Sequence, residues 1–590
     1  MAPTQGLAAL SSGHFCRATR APILASFLLV TLFVVLFVAS AESMVLAAGA
    51  ADTPKPPAKK ATAGKADIPQ VALVNEQIRK YWEENKLLPS PMATDGEWCR
   101  RVFLDVVGRV PTVEELQRFL AEPAHDRKAR LVNRLLGDEY VEEFARNWTT
   151  VWTNILIGRS GGNDRRSLIS REGLQQSLRR AFQRNMPYDK LVYELVSATG
   201  SSKPGEEGFN GFVNFLAGTL QENAVQGTAK TSQVFLGLQI QCTQCHNHPF
   251  NAAKQNQFWE MNAFFRQTRA LRRTEKGRDM ASVELINQDY AGENNMPEEA
   301  AVFYELRNGL SKVAFPVFVD GTKLKSDSGF VKEVDRRTEL AKFVVNSEFL
   351  PAALVNRLWA HFLGYGFTKP IDDMGPHNAP SHPELLSALA GEFKTHSYNQ
   401  KELIRWIVLS EPYGLSSKLG ARNKKDDPAL GEKPAFSHFY LRQMPAEELY
   451  ESLLVATEAQ NAETSYEKQE SAKRQWLDQF TLAFGTDDNE EATTFNGTIP
   501  QTLMMMNGDL VNKATGTEKG GFLHRVSVDT KMNNAAKIQH LYLAALARKP
   551  TPQEIVLANE LLLARKGDPI AALQDVWWAV LNSNEFIQNH

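Results

Sequence analysis

The sequence predicts a mainly α-helical protein with two helical domains, joined by a segment that contains a small β element. Apolar residues recur at helical spacing through most of the chain after residue 68. Several of these runs begin with a helix-capping pattern. Residues 313–319, followed by Asp320-Gly321, have the character of a strand and turn. A chain of 590 residues is long enough for two or more domains with well-formed cores.

Changes in composition set the expected domain boundaries. A targeting segment is followed by a linker rich in proline, lysine and alanine, which we expect to be extended. Two helical domains then flank a connecting segment with short strands. The boundaries are 1–50 for the targeting segment, 51–67 for the linker, 68–270 for the first helical domain, 271–334 for the connecting segment and 335–590 for the second helical domain.

The overall composition is that of a soluble globular protein, with 43% hydrophobic and 23% charged residues. The formal net charge is −2, so nothing in the charge balance indicates a nucleic-acid partner. The composition does not indicate an oligomeric state.

The N-terminal segment predicts export to the periplasm or cell envelope. Arg17 and Arg20 precede an uncharged apolar run at 21–41, and small-residue cleavage patterns occur at 39–41 and 48–50. The run is long for a cleaved signal peptide and just long enough to span a bilayer. The small-residue patterns favour cleavage, and a retained N-terminal membrane anchor is the alternative.

The first domain is predicted to be helical almost throughout. Thr112, with Glu115 three residues later, forms a capping box for the third helix. Trp148 and Trp152 lie four residues apart on one helix face, which is typical of core residues. The helices are expected at 74–86, 95–107, 113–121, 127–136, 139–157, 174–182 and 188–198.

Cys242, Cys245 and His246 form a C-x-x-C-H motif, the pattern used for covalent attachment of c-type haem. Two thiols react with the two vinyl groups of the porphyrin, and the following histidine is the proximal ligand of the iron. The motif therefore predicts haem c as cofactor, a redox or electron-transfer role, and an exported redox protein as partner. A mainly apolar segment at 231–244, helical or extended, leads into the motif, and an aromatic helix at 256–266 is expected to pack over it.

Two other interpretations of the motif remain open. Cys242 and Cys245 could form a structural disulfide or stay as free thiols in a non-catalytic scaffold or binding protein. His246 and His248 could add to the cysteines in a zinc site, although four ligands within seven residues need help to enclose a tetrahedral metal. Cleavage of the N-terminal segment would leave three cysteines, which is not a disulfide framework.

The second domain is also predicted to be helical. Ser381 is expected to cap one helix, and Thr551 with Glu554 to cap another. The helices are expected at 337–345, 352–363, 382–394, 400–409, 446–458, 466–479, 542–563 with a break at 550–552, and 571–586.

Short stretches throughout the chain resemble a known family pair. Residues 100–108 read Arg-Arg-Val-Phe-Leu-Asp-Val-Val-Gly, and residues 355–362 read Val-Asn-Arg-Leu-Trp-Ala-His-Phe. The other stretches that carry the resemblance are 111–112, 186–189, 241–250, 335–337, 370–373, 381–386 and 581–586. Together they resemble the planctomycete cytochrome-c-like domain paired with the planctomycete-specific C-terminal domain, from residue 72 to the end. The resemblance implies an exported protein with a cytochrome-like motif, and it brings no established activity.

The sixth ligand of a haem iron would decide between electron transfer and catalysis. The candidates are His361, His377, His382, Met261 and Met374. The methionine run 504–506 is more typical of core filling.

A polysaccharide hydrolase is a further alternative, with Asp372 or Asp373 acting as a general base beside His361. The competing structural interpretation pairs Arg357 with one of these carboxylates. The sequence has no phosphate-binding glycine loop and no G-x-S-x-G or H-E-x-x-H motif. It therefore leaves open whether the protein is an enzyme.

Overall fold

A computed structural model describes residues 68–162, 167–249, 252–274, 282–324, 328–462, 465–484 and 498–590. All of these residues belong to one compact unit, Gly64–His590. The predicted targeting segment and the linker lie outside the described residues. Within the described ranges, no helix has both the length and the apolar character needed to cross a bilayer.

The predicted fold class is confirmed, because the described chain is mainly helical with a few small sheets. The helices of the first half are α1 Pro69–Glu84, α2 Asp95–Val107, α3 Val113–Ala121, α4 Arg127–Leu135, α5 Val141–Ile157, α6 Arg171–Gln183, α7 Tyr188–Ser197, α8 Asn214–Ala217, α9 Gln221–Thr231 and α10 Gln255–Asn262. The helices of the second half are α11 Arg336–Asn346, α12 Phe349–Leu363, α13 Pro383–Thr395, α14 Gln400–Val408, α15 Glu411–Gly414, α16 Ala446–Thr457, α17 Tyr466–Phe484, α18 Ile499–Asn507, α19 Asp509–Ala514, α20 Phe522–Val528, α21 Asn534–Leu546, α22 Pro552–Ala564, α23 Pro569–Leu581 and α24 Asn584–Ile587.

Capping interactions explain where several helices begin. The Thr112 hydroxyl accepts from the Glu115 amide, and the Glu115 carboxylate accepts from the Thr112 amide at 2.7 Å, so the predicted capping box is confirmed. Thr551 and Glu554 form the same arrangement at α22. The predicted cap by Ser381 is wrong. His382 is the N-cap of α13, and the Ser381 hydroxyl is 2.9 Å from the His382 ring instead.

The strands form small antiparallel sheets: β1 Gly200–Ser201, β2 Thr268–Arg273 and β3 Ser282–Asn287 in the order β1-β3-β2; β4 Val302–Glu305 with β5 Ser311–Ala314; and β6 Arg442–Gln443 with β7 Gln588–Asn589. The expected strand at 313–319 is shorter than predicted and ends at Ala314. Pro316 follows two residues later and has no amide hydrogen to continue a ladder.

Two large apolar cores hold the helices together. The main core contains residues between Val74 and Tyr440, together with Ala547. It draws side chains from helices on both sides of the connecting segment, including Trp148, Trp152 and Trp359. A second core joins the helices after residue 444 to Leu104, Val110 and Val113 of the first half. The first predicted domain therefore packs into both cores.

A buried carboxylate on α2 gathers three partners that are distant in sequence. Asp105 accepts from the Tyr413 hydroxyl at 2.6 Å, from Arg442 Nη2 at 2.5 Å and from Asn589 Nδ2 at 2.8 Å. We call these four residues the Asp105 cluster. Asp105 is 1% exposed, so these donors, with the positive charge of Arg442 among them, replace the water that would otherwise solvate its carboxylate.

The two arginines before Asp105 hold the C-terminal end of the chain. Arg100 donates to the carbonyls of Phe586 and Gln588, and Arg101 donates to the carbonyl of His590. Burial lowers the pKa of both guanidinium groups to about 10, which leaves them charged at neutral pH. Residues 100–105, which carry part of the family resemblance, therefore have a structural role.

Candidate functional site

The C-x-x-C-H motif lies on a short 3-10 helix, Gln241–Gln244, and we call residues 241–246 the cysteine turn. The chain reaches it through α9 and a π-helical segment, Ser232–Leu236, which ends at Gly237 with a positive φ of 65°. The segment at 231–244, expected to be helical or extended, is therefore continuously helical only as far as residue 236. Left-handed backbone is accessible to glycine at little cost, so Gly237 allows the chain to leave the helix before the motif.

Both motif cysteines are free thiols and both are exposed. A 3-10 helix has three residues per turn, so side chains at i and i+3 lie above one another. Cys242 lies within this turn and Cys245 follows it directly, three residues later. Thr243 between them is fully buried, and its hydroxyl donates to the Ile240 carbonyl at 2.6 Å. Thr243 thus anchors the turn to the protein interior, whereas the thiols of Cys242 and Cys245 are exposed to solvent.

His246 is half-buried, and its Nδ1 lies 2.7 Å from the carbonyl oxygen of Asn247. A carbonyl oxygen can only accept, so Nδ1 must carry the proton in this hydrogen bond. The neutral ring then keeps a lone pair on Nε2. This is the tautomer in which a histidine binds a metal through Nε2, with its other nitrogen held by a carbonyl group.

The helix after the motif holds the turn in place. Trp259 Nε1 and Gln255 Nε2 on α10 both donate to the Gln244 carbonyl, at 3.0 and 3.2 Å. The backbone N–H of Gln255 also donates to Asn247 Oδ1 at 3.0 Å. The aromatic helix predicted to pack over the motif therefore does so through Trp259. By contrast, Phe258 is fully buried in the main core.

A loop from the second half, residues 371–378, packs against the segment that leads into the cysteine turn. We call it the aspartate loop. Asp372 accepts from Gln233 Nε2 at 2.6 Å and from Gln239 Nε2 at 2.7 Å. The Met374 amide donates to the Gly237 carbonyl at 2.8 Å, and a Cβ at Gly237 would lie 2.7 Å from Met374 Sδ. Position 237 therefore requires glycine for two reasons: its φ is positive, and a Cβ there would be too close to Met374.

The aspartate loop also brings an imidazole to the motif. The rings of His377 and His248 have centroids 6.0 Å apart. His377 Nε2 lies 2.8 Å from Asp373 Oδ2, and each of these side chains is 21% exposed. The carboxylate orients the ring of His377 beside the residues that follow the cysteine turn.

The five candidate sixth ligands separate into two groups. Met374 and His377 contact the segment between Gly237 and His248, as described above. Met261 is fully buried in the main core. His361 packs on Trp148, with ring centroids 5.2 Å apart, and His382 packs on Tyr81 at 4.2 Å. The described contacts of these two histidines thus lie elsewhere in the protein.

The expected pairing of Arg357 with Asp372 or Asp373 is wrong. Asp372 is held by two glutamine side chains and Asp373 by His377. Among the described residues Arg357 has no ion pair, and its Nε is buried without a hydrogen-bond partner. His361 contacts Trp148 and neither aspartate, so the expected acid–base arrangement beside His361 is not assembled.

Free, exposed thiols agree both with the haem interpretation and with free thiols in a scaffold protein, and they disagree with a structural disulfide. The thiols are free, so the described structure contains no disulfide between them. No group of three or more His, Cys, Asp or Glu side chains in the described ranges is arranged to hold a metal ion. Accessible paired thiols and a histidine with an available Nε2 are the groups that haem attachment needs.

Comparison with protein families identifies two regions. Residues 73–270 match PSCyt2, described as a protein of unknown function (DUF1549), and residues 336–562 match PSD1, described as a protein of unknown function (DUF1553). The first region contains the cysteine turn and the second contains the aspartate loop. No curated protein and no solved structure matches the chain significantly. The predicted pairing of two domains of unknown function is thus confirmed, and the cytochrome-like character stays a prediction.

Proposed function

We propose that this chain is an exported c-type haem protein with a redox or electron-transfer role. Cys242 and Cys245 would hold the haem, and His246 would be the proximal ligand of the iron. One observation carries the proposal: two free, exposed thiols lie three residues apart at a short turn, and the imidazole after them has its Nε2 lone pair available. When bound, the haem would supply one-electron chemistry at its iron.

The protein's own residues would prepare and hold this site. Thr243 and the contacts to α10 fix the turn, so the two thiols keep their relative position during attachment. The hydrogen bond from His246 Nδ1 to the Asn247 carbonyl sets the tautomer and increases the basicity of the ligating nitrogen. Exposure of both thiols makes them accessible to the attachment machinery.

The second half of the chain would complete the site. Met374 and His377 are the two candidate sixth ligands whose contacts reach the motif segment. A thioether or an imidazole at the sixth position is typical of an electron carrier. The link from Asp372 to Gln233 and Gln239 keeps this loop against the motif segment and would support such a role.

The N-terminal sequence supports an exported location. Haem is attached to C-x-x-C-H motifs outside the cytoplasm, and the positively charged, apolar N-terminal segment predicts export to that compartment. The resemblance of residues 241–250 to the planctomycete cytochrome-c-like domain points the same way. The partner would be another exported redox protein, and the chain would be either released by signal cleavage or retained by its N-terminal segment.

The proposal is tested by producing the full chain in a host with a haem-attachment system and recording its visible absorption spectrum. We expect a Soret band that survives extraction with acidic acetone, because thioether-bound haem is not extracted. His246→Ala should keep the covalent haem but change the Soret position and the reduction potential. A colourless, folded protein would contradict the proposal and would favour a non-catalytic scaffold.

A further inference from the structure

Two three-helix units of the protein, one in each half of the chain, are built in the same way. The first unit contains α2, α3 and α4, and the second contains α21, α22 and α23. α2 and α21 each have 13 residues, follow a residue whose side chain caps the helix, and are followed by a residue with a positive φ, Gly108 or Ala547. The turn after each helix carries an Arg-x-Pro-Thr-x-x-Glu sequence, at 109–115 and at 548–554. Residues 94–119 therefore correspond to residues 533–558 without a gap.

The arginines of the two turns, Arg109 and Arg548, make the same contacts. Each donates to both carboxylate oxygens of the glutamate six residues later, at 2.8–2.9 Å. Each guanidinium carbon also lies 5.4 Å from the centroid of the aromatic ring six residues earlier, which is Phe103 in the first unit and Tyr542 in the second. Because the same contacts occur at corresponding positions, the two units can be compared residue by residue.

Two aromatic side chains pack among the three helices of the first unit. Trp98 on α2 is 1% exposed, Phe119 on α3 is fully buried, and their rings stack with centroids 5.9 Å apart. Arg127 and Lys128 of α4 lie over these two rings, at 5.9 and 4.9 Å from the centroids. The space between α2, α3 and α4 is thus occupied by aromatic side chains.

The second unit has neither of these aromatic side chains. Lys537 stands in the position of Trp98, and its ammonium group donates to the Ser527 carbonyl at 2.5 Å. Ala558 stands in the position of Phe119 and is 5% exposed. A lysine directed at a carbonyl group and a single methyl group therefore replace two stacked rings.

An open groove lies beside these positions in the second unit. Its lining includes Ile538 of α21, Ala558 of α22, and Leu573 and Val576 of α23. Ala558 is the equivalent of Phe119, so the groove borders the position from which an aromatic ring projects in the first unit. An apolar lining drawn from three helices suits an apolar group.

The edge of the groove favours a polypeptide over a free aromatic compound. Asn534 and Asn559 also line the groove and are exposed, and a carboxamide group can both donate to and accept from a peptide main chain. Leu563 follows a lining residue and is 79% exposed, and Ile570 follows another and is 36% exposed. A protein segment would cover these apolar side chains, whereas a single ring in the groove would leave them in water.

We infer that this groove binds a segment of a partner protein that inserts one aromatic side chain. The ring would pack beside Ala558, as the ring of Phe119 packs in the first unit, and Asn559 would bind the main chain of the segment. The inference does not depend on haem attachment, because the cysteine turn lies outside both units.

The first test asks whether the groove has room for a ring. Ala558→Phe places a phenyl ring where the first unit has Phe119, so the Tm of the full chain should stay unchanged or rise. Ala545→Phe is the matched control on α21, because Ala545 is fully buried in the second core and an added ring there should lower the Tm. A fall in Tm for Ala558→Phe as large as for Ala545→Phe would overturn the inference.

The second test measures binding of a capped amino acid to the wild-type full chain by saturation-transfer difference NMR. The phenyl protons of N-acetyl-L-phenylalaninamide should receive saturation from the protein, whereas the side-chain methyl protons of N-acetyl-L-alaninamide should not. Ala558→Phe should abolish the phenyl signal, because its own ring fills the groove. No phenyl signal with the wild type, or an equal signal with Ala558→Phe, would overturn the inference.

Benzyl alcohol separates a partner segment from a free aromatic compound in the same experiment. It carries the ring without main-chain amide groups, so its signal should be weaker than that of the capped phenylalanine. Asn559→Ala should weaken the signal of the capped phenylalanine and leave that of benzyl alcohol unchanged. A benzyl alcohol signal as strong as that of the capped phenylalanine, or a capped phenylalanine signal unchanged in Asn559→Ala, would overturn the assignment to a polypeptide partner.

Discussion

The cysteine turn and the Asp105 cluster are both built from residues that stand out in the sequence, yet they differ in burial and in purpose. Asp105 is 1% exposed and binds three donors from distant parts of the chain. Cys242 and Cys245 are exposed, and their sulfur atoms are free. A polar residue whose hydrogen bonds are all made within the protein stabilises the fold, whereas an exposed reactive group is available for chemistry.

The largest expected effect on stability comes from removing the buried carboxylate of Asp105. Asp105→Ala should lower the free energy of unfolding by about 3–5 kcal/mol, because it leaves the Arg442 guanidinium buried without its carboxylate. Chemical denaturation of the two proteins measures this. Asp373→Ala is the control at a partly exposed carboxylate, whose contact with His377 is 21% exposed on each side, and it should cost less than about 1 kcal/mol. Equal losses of unfolding free energy in Asp105→Ala and Asp373→Ala would contradict the distinction between the buried and the partly exposed carboxylate.

The next prediction concerns pH and the acidic residue beside Asp105. Burial, together with the nearby charge of Asp105, raises the pKa of Glu448 to about 8. The native state therefore binds more protons than the unfolded state between the ordinary pKa of about 4.5 and about 8. The contribution of Glu448 to stability is present below that window and is lost as the pH rises through it. Relative to Glu448→Gln, the wild type should lose up to about 1.4 kcal/mol per pH unit there.

Glu447, the neighbouring residue, provides a control with the opposite sign. Burial acts to raise the pKa of Glu447, but Arg159 outweighs it and the pKa is lowered below its ordinary value. Its stabilising contribution is therefore present above that ordinary value and is lost as the pH falls. Denaturation curves of Glu447→Gln and Glu448→Gln across pH should diverge from the wild type in opposite directions. Parallel profiles would contradict this assignment.

A smaller effect is expected at the contact between the two halves. Asp372→Asn replaces a charged acceptor of two glutamine hydrogen bonds and should cost about 1–3 kcal/mol. It should also increase proteolysis near residues 233–239, because the aspartate loop is held less firmly. Asp373→Asn is the isosteric control and should leave proteolysis at 233–239 unchanged. The same cleavage pattern in both variants would show that Asp372 does not hold this contact.

The smallest effect on stability is expected at the thiols themselves. Cys242→Ser should change the free energy of unfolding by less than about 0.5 kcal/mol, since the side chain is exposed. In haem-free native protein it should remove one rapidly reacting thiol in an assay with Ellman's reagent. Cys99→Ser should remove none, because Cys99 is buried and reacts only on unfolding. If Cys99→Ser lost a thiol that reacts rapidly in the native protein, the burial of Cys99 would be contradicted.

Local sequence patterns predicted much of the helical framework. The capping box of Thr112 and Glu115 and the paired tryptophans on α5 depend on residues close in sequence, and both are confirmed. The partners of Asp105, including Asn589, are hundreds of residues away, so periodicity could not reveal them. Short strands were expected within 271–334, but β2 was not located, because it has an arginine-rich sequence with little strand character.

The candidate site also has a part that local sequence patterns predict and a part that depends on contacts between distant residues. The C-x-x-C-H spacing alone identified Cys242, Cys245 and His246 as candidates. The choice of Met374 and His377 over His361 and His382 required the fold, since all four lie far from the motif in sequence. The pairing of Arg357 with the aspartates failed because it assumed that nearby charges in a motif meet. A paired Asp-Asp followed by a glycine-containing loop gave no signal that Asp372 binds glutamines.

The central claim, that the cysteine turn carries covalent haem, is tested most directly by intact-protein mass spectrometry under denaturing conditions. The full chain is produced in a host that attaches haem, beside a Cys242→Ser/Cys245→Ser double variant. The account predicts that the wild type gains the mass of one haem and that the double variant gains none. A wild-type mass equal to that of the unmodified chain, in a preparation with a native circular dichroism spectrum, would contradict it.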